Sequence, residues 1–271
     1  MIKTCIVDSF TNEAFKGNPA GVCTVETNIS EDNMLLIAQE LGLSETAFIK
    51  KLEKEHAYSI RYFSPKMEIP LCGHATLAAA KVIFETTNFK EIHFNTIQNI
   101  DLHIVHKKDG IEMSFPVYQT IPTEVPSSLL KALGIEKIVN TEYNKETNII
   151  LIEMDDTVLL QKLKPDFEAL YKSIDSINGV LITAASTGDD YDFHSRYFWP
   201  WSGTNEDSVT GGTHTFLTPY WSKRLGKTTM KSFQSSSRTG YMEVTLINDQ
   251  KLVIKSNAVI VFEGNLKLDI N

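Results

Sequence analysis

Glycine and histidine residues stand at equivalent places in the two halves of the sequence. The segment RYFSP and its counterpart RYFWP lie 135 positions apart; Gly73 and His74 follow the first, and Gly211, Gly212 and His214 follow the second. A helix start carries unpaired N–H groups and a partial positive charge, and glycine lets a ligand come close to the backbone. We therefore expect both turns to hold an anion such as a substrate carboxylate; the alternative is two ordinary helix caps.

A carboxylate interrupts an apolar strand face at Glu45. The segment LSETAFI, residues 43–49, reads as a strand on which Glu45 shares one face with Leu43, Ala47 and Ile49. Burial raises the pKa of a carboxylate unless a charge or hydrogen bonds offset it, so Glu45 is a candidate proton donor and acceptor. The alternative is a glutamate at a sheet edge that reaches solvent or pairs with a basic side chain.

A second acidic position precedes the second glycine turn. Glu206 and Asp207 lie in the loop WSGTNEDSVT, residues 201–210. An acid in this place can cap the following helix or hydrogen-bond a catalytic group, and the sequence leaves both functions open.

Cysteine and histidine spacing predicts neither a disulfide framework nor a metal site. Cys5, Cys23 and Cys72 are widely spaced and odd in number, which is typical of a reducing compartment. His103 and His106 lie three apart in an expected strand and so point to opposite faces. We therefore expect no metal, and the sequence also has no Walker loop or dinucleotide fingerprint.

Charge and hydropathy exclude several classes of partner. The 271-residue chain has a net charge of -8 and no basic run, which argues against nucleic acid or a membrane surface. It has no apolar run near the roughly 20 residues that a membrane helix needs. The N-terminus turns polar too soon for a signal peptide, and we expect a cytoplasmic protein.

The first half reads as strands around an apolar helix. Ser30 should cap a helix that ends at Gly42, and the helix expected over 74–84 is apolar on every side, which predicts a buried central helix. The predicted strands are 2–8, 20–25, 43–49, 57–63, 92–96, 102–106 and 111–115.

The second half predicts a similar order. Helices are expected over 127–133, 166–173 and 213–225, and Pro219 inside the last should kink it or leave a carbonyl unpaired. The predicted strands are 148–153, 157–161, 179–184, 193–199, 228–233, 241–247, 251–256 and 259–262.

The repeat predicts two similar domains that face each other across a cleft. The proline-rich segment 116–126 is the expected linker, which places the domains at 1–116 and 117–271. The last strand, near 259–271, is a candidate to return to the first domain.

As a set, six segments resemble the phenazine-biosynthesis PhzF-like isomerases, which are similar in fold to diaminopimelate epimerase. The segments are DSFTNEAFKGNPAGV, LGLSETAF, FSPKMEIPLCGHATLAAA, RYFWPWSGTNEDSVTGGTH, PYWSKRLGK and FQSSSRTG, in family order over nearly the full chain. The resemblance implies an α+β fold of two pseudo-symmetric domains, each a strongly bent, mostly antiparallel sheet or barrel around a central helix. It also implies an active site between the domains, isomerisation without a cofactor, and a homodimer.

The resemblance also implies functions for individual residues. Glu45 matches the acid/base that moves the proton, and His74 and Asp207 match its polar partners. The implied substrate-binding residues are Gly73, Gly211, Gly212 and Asn18. The implied reaction moves a proton between carbons of a small unsaturated or hydroxy carboxylic acid.

The chain departs from the family pattern around its second glycine turn. It reads EDSVTGGT where the family usually reads EDPVTGSA, so Ser208 replaces a proline and Gly212 replaces a serine expected to touch substrate. Ser235 stands where glycine is usual. These changes concern the substrate, and nothing in the sequence assigns phenazine production.

Two other functions stay open. Cys72 resembles the first thiol of two-thiol racemases and epimerases, but Thr210 stands at the position of the second thiol, and a hydroxyl is too weak an acid for that function. Cys72 can instead be a buried structural thiol. The altered EDSVTGGT loop also fits a small-molecule-binding protein without turnover.

Overall fold

A computed structural model describes residues 1–188 and 190–267 of the chain. Contacts divide it into two units: Met1–Ser114 with the segment from Ile254 onwards, and Phe115–Val253. The strand predicted near 259–271 belongs to the first unit up to Leu266, and residues 268–271 lie outside the described part.

Both halves of the chain combine strands with a few helices. The first half contains β1 (Ile2–Ser9), β2 (Asn18–Thr24), α1 (Glu31–Leu41), β3 (Glu45–Lys51), β4 (Ala57–Phe63), β5 (Glu68–Ile69), α2 (Gly73–Thr86), β6 (Glu91–Thr96), β7 (Asp101–Lys107) and β8 (Gly110–Pro116). The second contains β9 (Ile121–Pro122), α3 (Ser127–Leu133), β10 (Asn140–Asn144), β11 (Ile149–Met154), α4 (Thr157–Lys162), α5 (Phe167–Ser173), β12 (Gly179–Ala185), β13 (Phe193–Trp199), a 3-10 turn (Pro200–Ser202), β14 (Thr204–Asp207), α6 (His214–Leu225), β15 (Thr229–Gln234), β16 (Gly240–Leu246), β17 (Lys251–Ser256) and β18 (Ala258–Leu266).

The first unit wraps a mostly antiparallel sheet around α2. β1 pairs with β2 and with β18 in antiparallel fashion, β2 runs parallel to β3, and β4 runs parallel to β6. Helix α2 contacts β1, β2, β3 and β18, and Leu77, Ala78, Ala79 and Ala80 in its middle are fully buried. The predicted central helix is confirmed, because a helix without a polar face is stable only when strands cover it on all sides.

The second unit repeats the strand pattern of the first. β11 runs parallel to β12, β12 is antiparallel to β13, and β13 runs parallel to β15. Helix α6 again lies in the core, where Trp221 stacks on Phe193 at 5.5 Å between ring centroids and donates a hydrogen bond of 2.9 Å to Thr183. The fold is therefore the predicted α+β fold, with a strongly bent sheet around a central helix in each unit.

The prediction of a strand over residues 157–161 is wrong, because this segment forms the helix α4. The Asp156 side chain accepts hydrogen bonds from the N–H groups of Val158 and Leu159, which caps a helix start. The strand β10 was not predicted, because its sequence, NTEYN, has no apolar alternation.

Pro219 does not leave a carbonyl unpaired. Proline lacks the N–H that would bond to the carbonyl of Thr215 within α6, and the N–H of Tyr118 donates to that carbonyl at 2.9 Å instead. The neighbouring segment thus replaces the missing helical hydrogen bond.

Candidate active site

Glu45 and His74 form an ion pair in the first unit. Glu45 Oε2 lies 3.1 Å from His74 Nε2, and the two side chains are 14% and 11% exposed. Glu45 is thus neither at an open sheet edge nor fully enclosed. It pairs with a basic side chain, which the sequence left open as an alternative, and part of its side chain stays exposed.

Secondary structure fixes both members of this pair. Glu45 is the first residue of β3, where it lies opposite Ala20 of the parallel strand β2. His74 is the second residue of α2, and its carbonyl accepts a hydrogen bond of 2.7 Å from Ser9 Oγ at the end of β1. The strand end, the helix start and β1 therefore hold the carboxylate and the imidazole in one geometry.

The two groups stabilise each other's charged forms. Burial works to raise the pKa of the Glu45 carboxyl, but the hydrogen bond and charge of His74 outweigh it and hold that pKa below its ordinary value. Burial works to lower the pKa of the His74 imidazole, but Cys72 and Glu45 raise that pKa well above its ordinary value. The pair rests as carboxylate and imidazolium.

Three further polar groups surround the His74 ring. Cys72 Sγ and the amide nitrogen of Asn18 each lie 3.4 Å from Nδ1, and Ser44 Oγ lies 3.5 Å from Nε2. Asn18 was implied as a substrate-binding residue by resemblance, and the structure places it beside His74. Ser44 was not predicted; the only signal for it is its position next to Glu45.

The start of α2 leaves its first amides without a side-chain cap. Cys72, the residue before the helix, makes no side-chain cap hydrogen bond, and the first turn carries no acidic residue. Gly73 is the first helical residue, so its backbone can be approached closely. The N–H groups and the helix dipole at this turn suit an anion, and the Cys72 side chain does not compete for them.

Spacing in the sequence singled out three cysteines and two histidines. All three cysteines are free and buried. His103 stacks on His93 at 4.7 Å, whereas His106 stacks on Phe84 at 4.8 Å. The two histidines therefore point to different neighbours, as the strand periodicity predicts.

Asp207 lies in the second unit, at the end of β14. It accepts a short hydrogen bond from Thr210 Oγ1, and its backbone carbonyl accepts one of 2.8 Å from the Gln234 side chain. Asp207 does not cap α6, which begins seven residues later after Thr213. Its carboxylate instead organises the turn that leads to Gly211 and Gly212. Gln234 was missed by sequence reasoning.

The second glycine turn differs from the first. Gly211 and Gly212 precede α6, and their carbonyls accept hydrogen bonds from the N–H groups of His214 and Thr215 at 3.1 and 3.2 Å. His214 is fully buried, and burial lowers its pKa to about 4. The second histidine is therefore a neutral core residue, unlike His74.

Two arginine forks precede these turns and were not predicted as functional. Arg61 Nε donates to Glu68 at 2.7 Å, and Arg196 Nε donates to Glu206 at 2.7 Å; each arginine holds its carboxylate with two nitrogens. The arginines begin the repeated RYF segments, which was their only signal in the sequence. Each fork ties together a pair of adjacent strands, β4 with β5 and β13 with β14, and Asp207 follows Glu206 directly.

The fold is shared with a solved structure of another protein. A crystal structure of a hydroxyproline epimerase from Agrobacterium vitis matches 97% of this chain and 90% of its own, with a TM-score of 0.58 at 10% identity. At that identity the match shows the α+β epimerase-type fold alone.

Within the described residues, no helix is long and apolar enough to cross a membrane.

Closer matches then show the family. The chain belongs to the phenazine biosynthesis-like protein family, whose model matches residues 7–264. A crystal structure of a PhzF family protein from Enterococcus faecalis has a TM-score of 0.90 and 36% identity, and covers 98% of this chain and 99% of its own. Phenazine biosynthesis-like domain-containing protein 2 of Mus musculus is 40% identical over 96% of this chain and 97% of its own. A protein of Halalkalibacterium halodurans named an uncharacterized isomerase is 39% identical, with 97% of each chain covered. The predicted resemblance is confirmed.

Proposed function

We propose that the protein is a cofactor-independent isomerase that moves a proton between carbons of a small carboxylated metabolite. The observation that carries this proposal is the Glu45–His74 ion pair at 3.1 Å, which is largely buried beside the start of α2. The names of its relatives, an isomerase among them, support the same reaction class.

The ion pair provides both a base and a stabilising charge. Glu45, ionised at rest, takes a proton from an acidic carbon of the substrate, and the electrons of the C–H bond shift into the adjacent unsaturated bond. A carboxylate of lowered pKa is a weak base for carbon, so the reaction needs the negative charge that develops to be stabilised. The His74 imidazolium lies next to Glu45 and supplies this stabilisation. Glu45 then returns the proton to a different carbon.

The start of α2 is the proposed position of the substrate's acid group. The amides of Gly73 and His74 begin a helix of 14 residues, and a helix start favours an anion. A carboxylate held there would keep the reacting carbons near Glu45 and would make the site selective for acids over neutral analogues.

Asp207, Gly211 and Gly212 are included in the proposal through the family resemblance. Asp207 is partly exposed, and its carboxylate is positioned by the hydrogen bond from Thr210, while Gln234 holds its backbone carbonyl. The Asp207→Asn variant tests this part: it should lower turnover and leave the unfolding midpoint of the protein within a few degrees of the wild type.

A deuterium screen tests the reaction class without a guess about the product. The protein is incubated in D2O with a panel of small unsaturated, hydroxy and amino carboxylic acids, and loss of substrate C–H signals is followed by proton NMR. The proposal predicts exchange into at least one acid, and that Cys72→Ser lowers this exchange without abolishing it, because Cys72 contacts the His74 ring and helps to raise its pKa. Saturable binding of an acid without any exchange would instead favour a binding protein, and complete loss of exchange in Cys72→Ser would favour the thiol racemase.

The family resemblance also carries the proposal of a homodimer. Sedimentation velocity at micromolar concentration tests it, since a single species of 30.5 kDa would contradict it.

A further inference from the structure

The second unit has a glycine at the place that Glu45 occupies in the first. Glu45 begins β3 where that strand pairs with the parallel strand β2, and Gly179 begins β12 where that strand pairs with the parallel strand β11. The next residue of each strand, Thr46 or Val180, pairs with the phenylalanine of the repeated RYF segment. By strand register, Gly179 is therefore the counterpart of Glu45.

The ring of Tyr197 fills the space beside Gly179. A Cβ atom added to Gly179 would lie 2.6 Å from Cε2 and 2.7 Å from the hydroxyl oxygen of Tyr197. On the same face of β13, the ring of Trp199 lies 5.6 Å from the Tyr197 ring, and Tyr197 is only 4% exposed. The glycine thus makes room for a phenol at the place where the first unit has its carboxylate.

Within the described part of the chain, the hydroxyl of Tyr197 has no hydrogen-bond partner. The hydroxyl of Tyr62, its counterpart in the first unit, lies 2.6 Å from Thr76 Oγ1. On β13, the polar atoms that are fully enclosed and unpaired among the described residues are Ser195 Oγ and Trp199 Nε1, and the Tyr197 hydroxyl is not one of them. It is therefore an unused donor that keeps some exposure to the surface.

Tyr197 is the direct cross-strand neighbour of Asp207. The two residues pair in the antiparallel strands β13 and β14, so their side chains lie on one face. Burial and the negative charge of Asp207 raise the pKa of the Tyr197 hydroxyl above its ordinary value, so the phenol stays protonated at neutral pH. The pair thus presents a hydrogen-bond donor beside a carboxylate.

A hydroxyl group fits this pair better than the other groups of a small acid. It can donate to the Asp207 carboxylate while it accepts from the Tyr197 hydroxyl. An ammonium group has no acceptor for the Tyr197 donor, and a carboxylate would meet the like charge of Asp207. We propose that Tyr197 and Asp207 bind a hydroxyl group of the substrate and so select hydroxy carboxylic acids. This inference rests on the proposed function, because it takes a small carboxylic acid as the ligand.

The preference for hydroxy acids tests this function of Tyr197. Calorimetry measures the affinity of the wild type and of Tyr197→Phe for pairs that differ by one hydroxyl: malate and succinate, 3-hydroxybutyrate and butyrate, serine and alanine. The wild type should prefer the hydroxy acid of at least one pair by about tenfold or more, as expected for a hydrogen bond to a charged group. Tyr197→Phe should lower that preference by about threefold to tenfold. Equal affinity within every pair, or an unchanged preference in Tyr197→Phe, would overturn the proposal.

Thermal unfolding separates this function from a structural one. Tyr197→Phe should keep the unfolding midpoint of the wild type or raise it, because its hydroxyl has no partner to lose. Tyr62→Phe is the matched control: it loses the contact with Thr76, and its midpoint should fall by about 2–4 °C. An equal fall in both variants would overturn the unpaired hydroxyl.

Binding needs no turnover, so the two proposals fail in different ways. A preference for a hydroxy acid that depends on Tyr197, without any deuterium exchange, would refute the isomerase and leave the hydroxyl recognition standing. Exchange into an acid without such a preference would refute the hydroxyl recognition and leave the isomerase standing.

Discussion

Replacing His214 should reduce the amount by which the free energy of unfolding falls as the pH is lowered. The His214 ring is fully buried; Nε2 lies 2.8 Å from Ser232 Oγ, and Nδ1 lies 3.3 Å from the carbonyl oxygen of Thr210. The neutral ring satisfies both contacts when Nδ1–H donates to the carbonyl and Nε2 accepts from the hydroxyl. Protonation would bury a charge beside a hydroxyl and a carbonyl, and the Ser232 hydroxyl would have to turn to accept from Nε2–H.

The size of this effect follows from the pKa. Burial lowers the pKa of His214 from 6.5 to about 4, so the unfolded chain takes up the proton first as the pH falls. The contribution to stability is complete above pH 6.5 and is lost progressively down to about pH 4. The loss is about 2 kcal/mol at pH 5 and about 3 kcal/mol once the ring is protonated in both states.

The assay compares urea unfolding of the wild type and of His214→Gln at pH 7.5, 6.5 and 5. Glutamine can make both hydrogen bonds but does not titrate, so all other pH-dependent groups cancel in the difference. The wild type should lose about 2 kcal/mol more than the variant between pH 7.5 and 5. NMR of the ring should also show a neutral Nδ1–H tautomer at pH 6. A constant difference in the free energy of unfolding, or a ring that titrates at 6.5 or above, would refute the reasoning.

Other variants test the turns and the arginine forks. Gly212→Ala should stabilise the protein by about 0.4–1 kcal/mol in urea unfolding, because the new Cβ meets no atom within 4 Å and alanine restricts the unfolded chain; a loss of stability would contradict this. Gly17→Ala is the opposite case: its Cβ would lie 2.0 Å from the carbonyl oxygen of Ser9 at a φ of +66°, so it should destabilise by more than about 1 kcal/mol. Arg196→Gln should cost about 3 kcal/mol, since the arginine side chain is 9% exposed and also donates to three carbonyls at the end of α4. Arg61→Gln, with a side chain 23% exposed, should cost about 1 kcal/mol, and equal losses in the two arginine variants would contradict the difference in burial.

Helix ends were predictable because local hydrogen bonds decide them. Ser30 accepts from the Asn33 N–H at the start of α1, and Gly42 ends that helix in the left-handed region at a φ of 63°. Gly134 and Gly226 end α3 and α6 in the same way. These signals need no knowledge of distant contacts.

The segment TVLLQK shows where a sequence pattern fails. Its short apolar run fits a buried strand or a buried helix equally well, since periodicity cannot separate them over six residues. The Asp156 carboxylate and the N–H groups of Val158 and Leu159 decided in favour of a helix. Only Leu160 of α4 is fully buried, so packing adds little to the choice.

The candidate site was predictable only in part. Strand alternation predicted that Glu45 faces inward, but its partner is 29 positions away and arrives through the parallel pairing of β2 with β3 and the start of α2. That partner also reverses the effect of burial on the pKa of Glu45. The different charge states of the two histidines, His74 charged and His214 neutral, were not predictable either. They depend on what lies around each ring: a carboxylate near His74, and a hydroxyl and a carbonyl near His214.

The most direct test of the proposed chemistry is solvent deuterium exchange by Glu45→Gln, with ligand binding measured on the same sample. Glutamine keeps the size of the side chain and can still contact His74, but it can neither remove nor return a proton. Exchange should fall by about 10²-fold to 10⁴-fold, while the dissociation constant of the acid changes by less than about tenfold. Exchange at the wild-type rate in this variant would contradict the assignment of Glu45 as the acid/base.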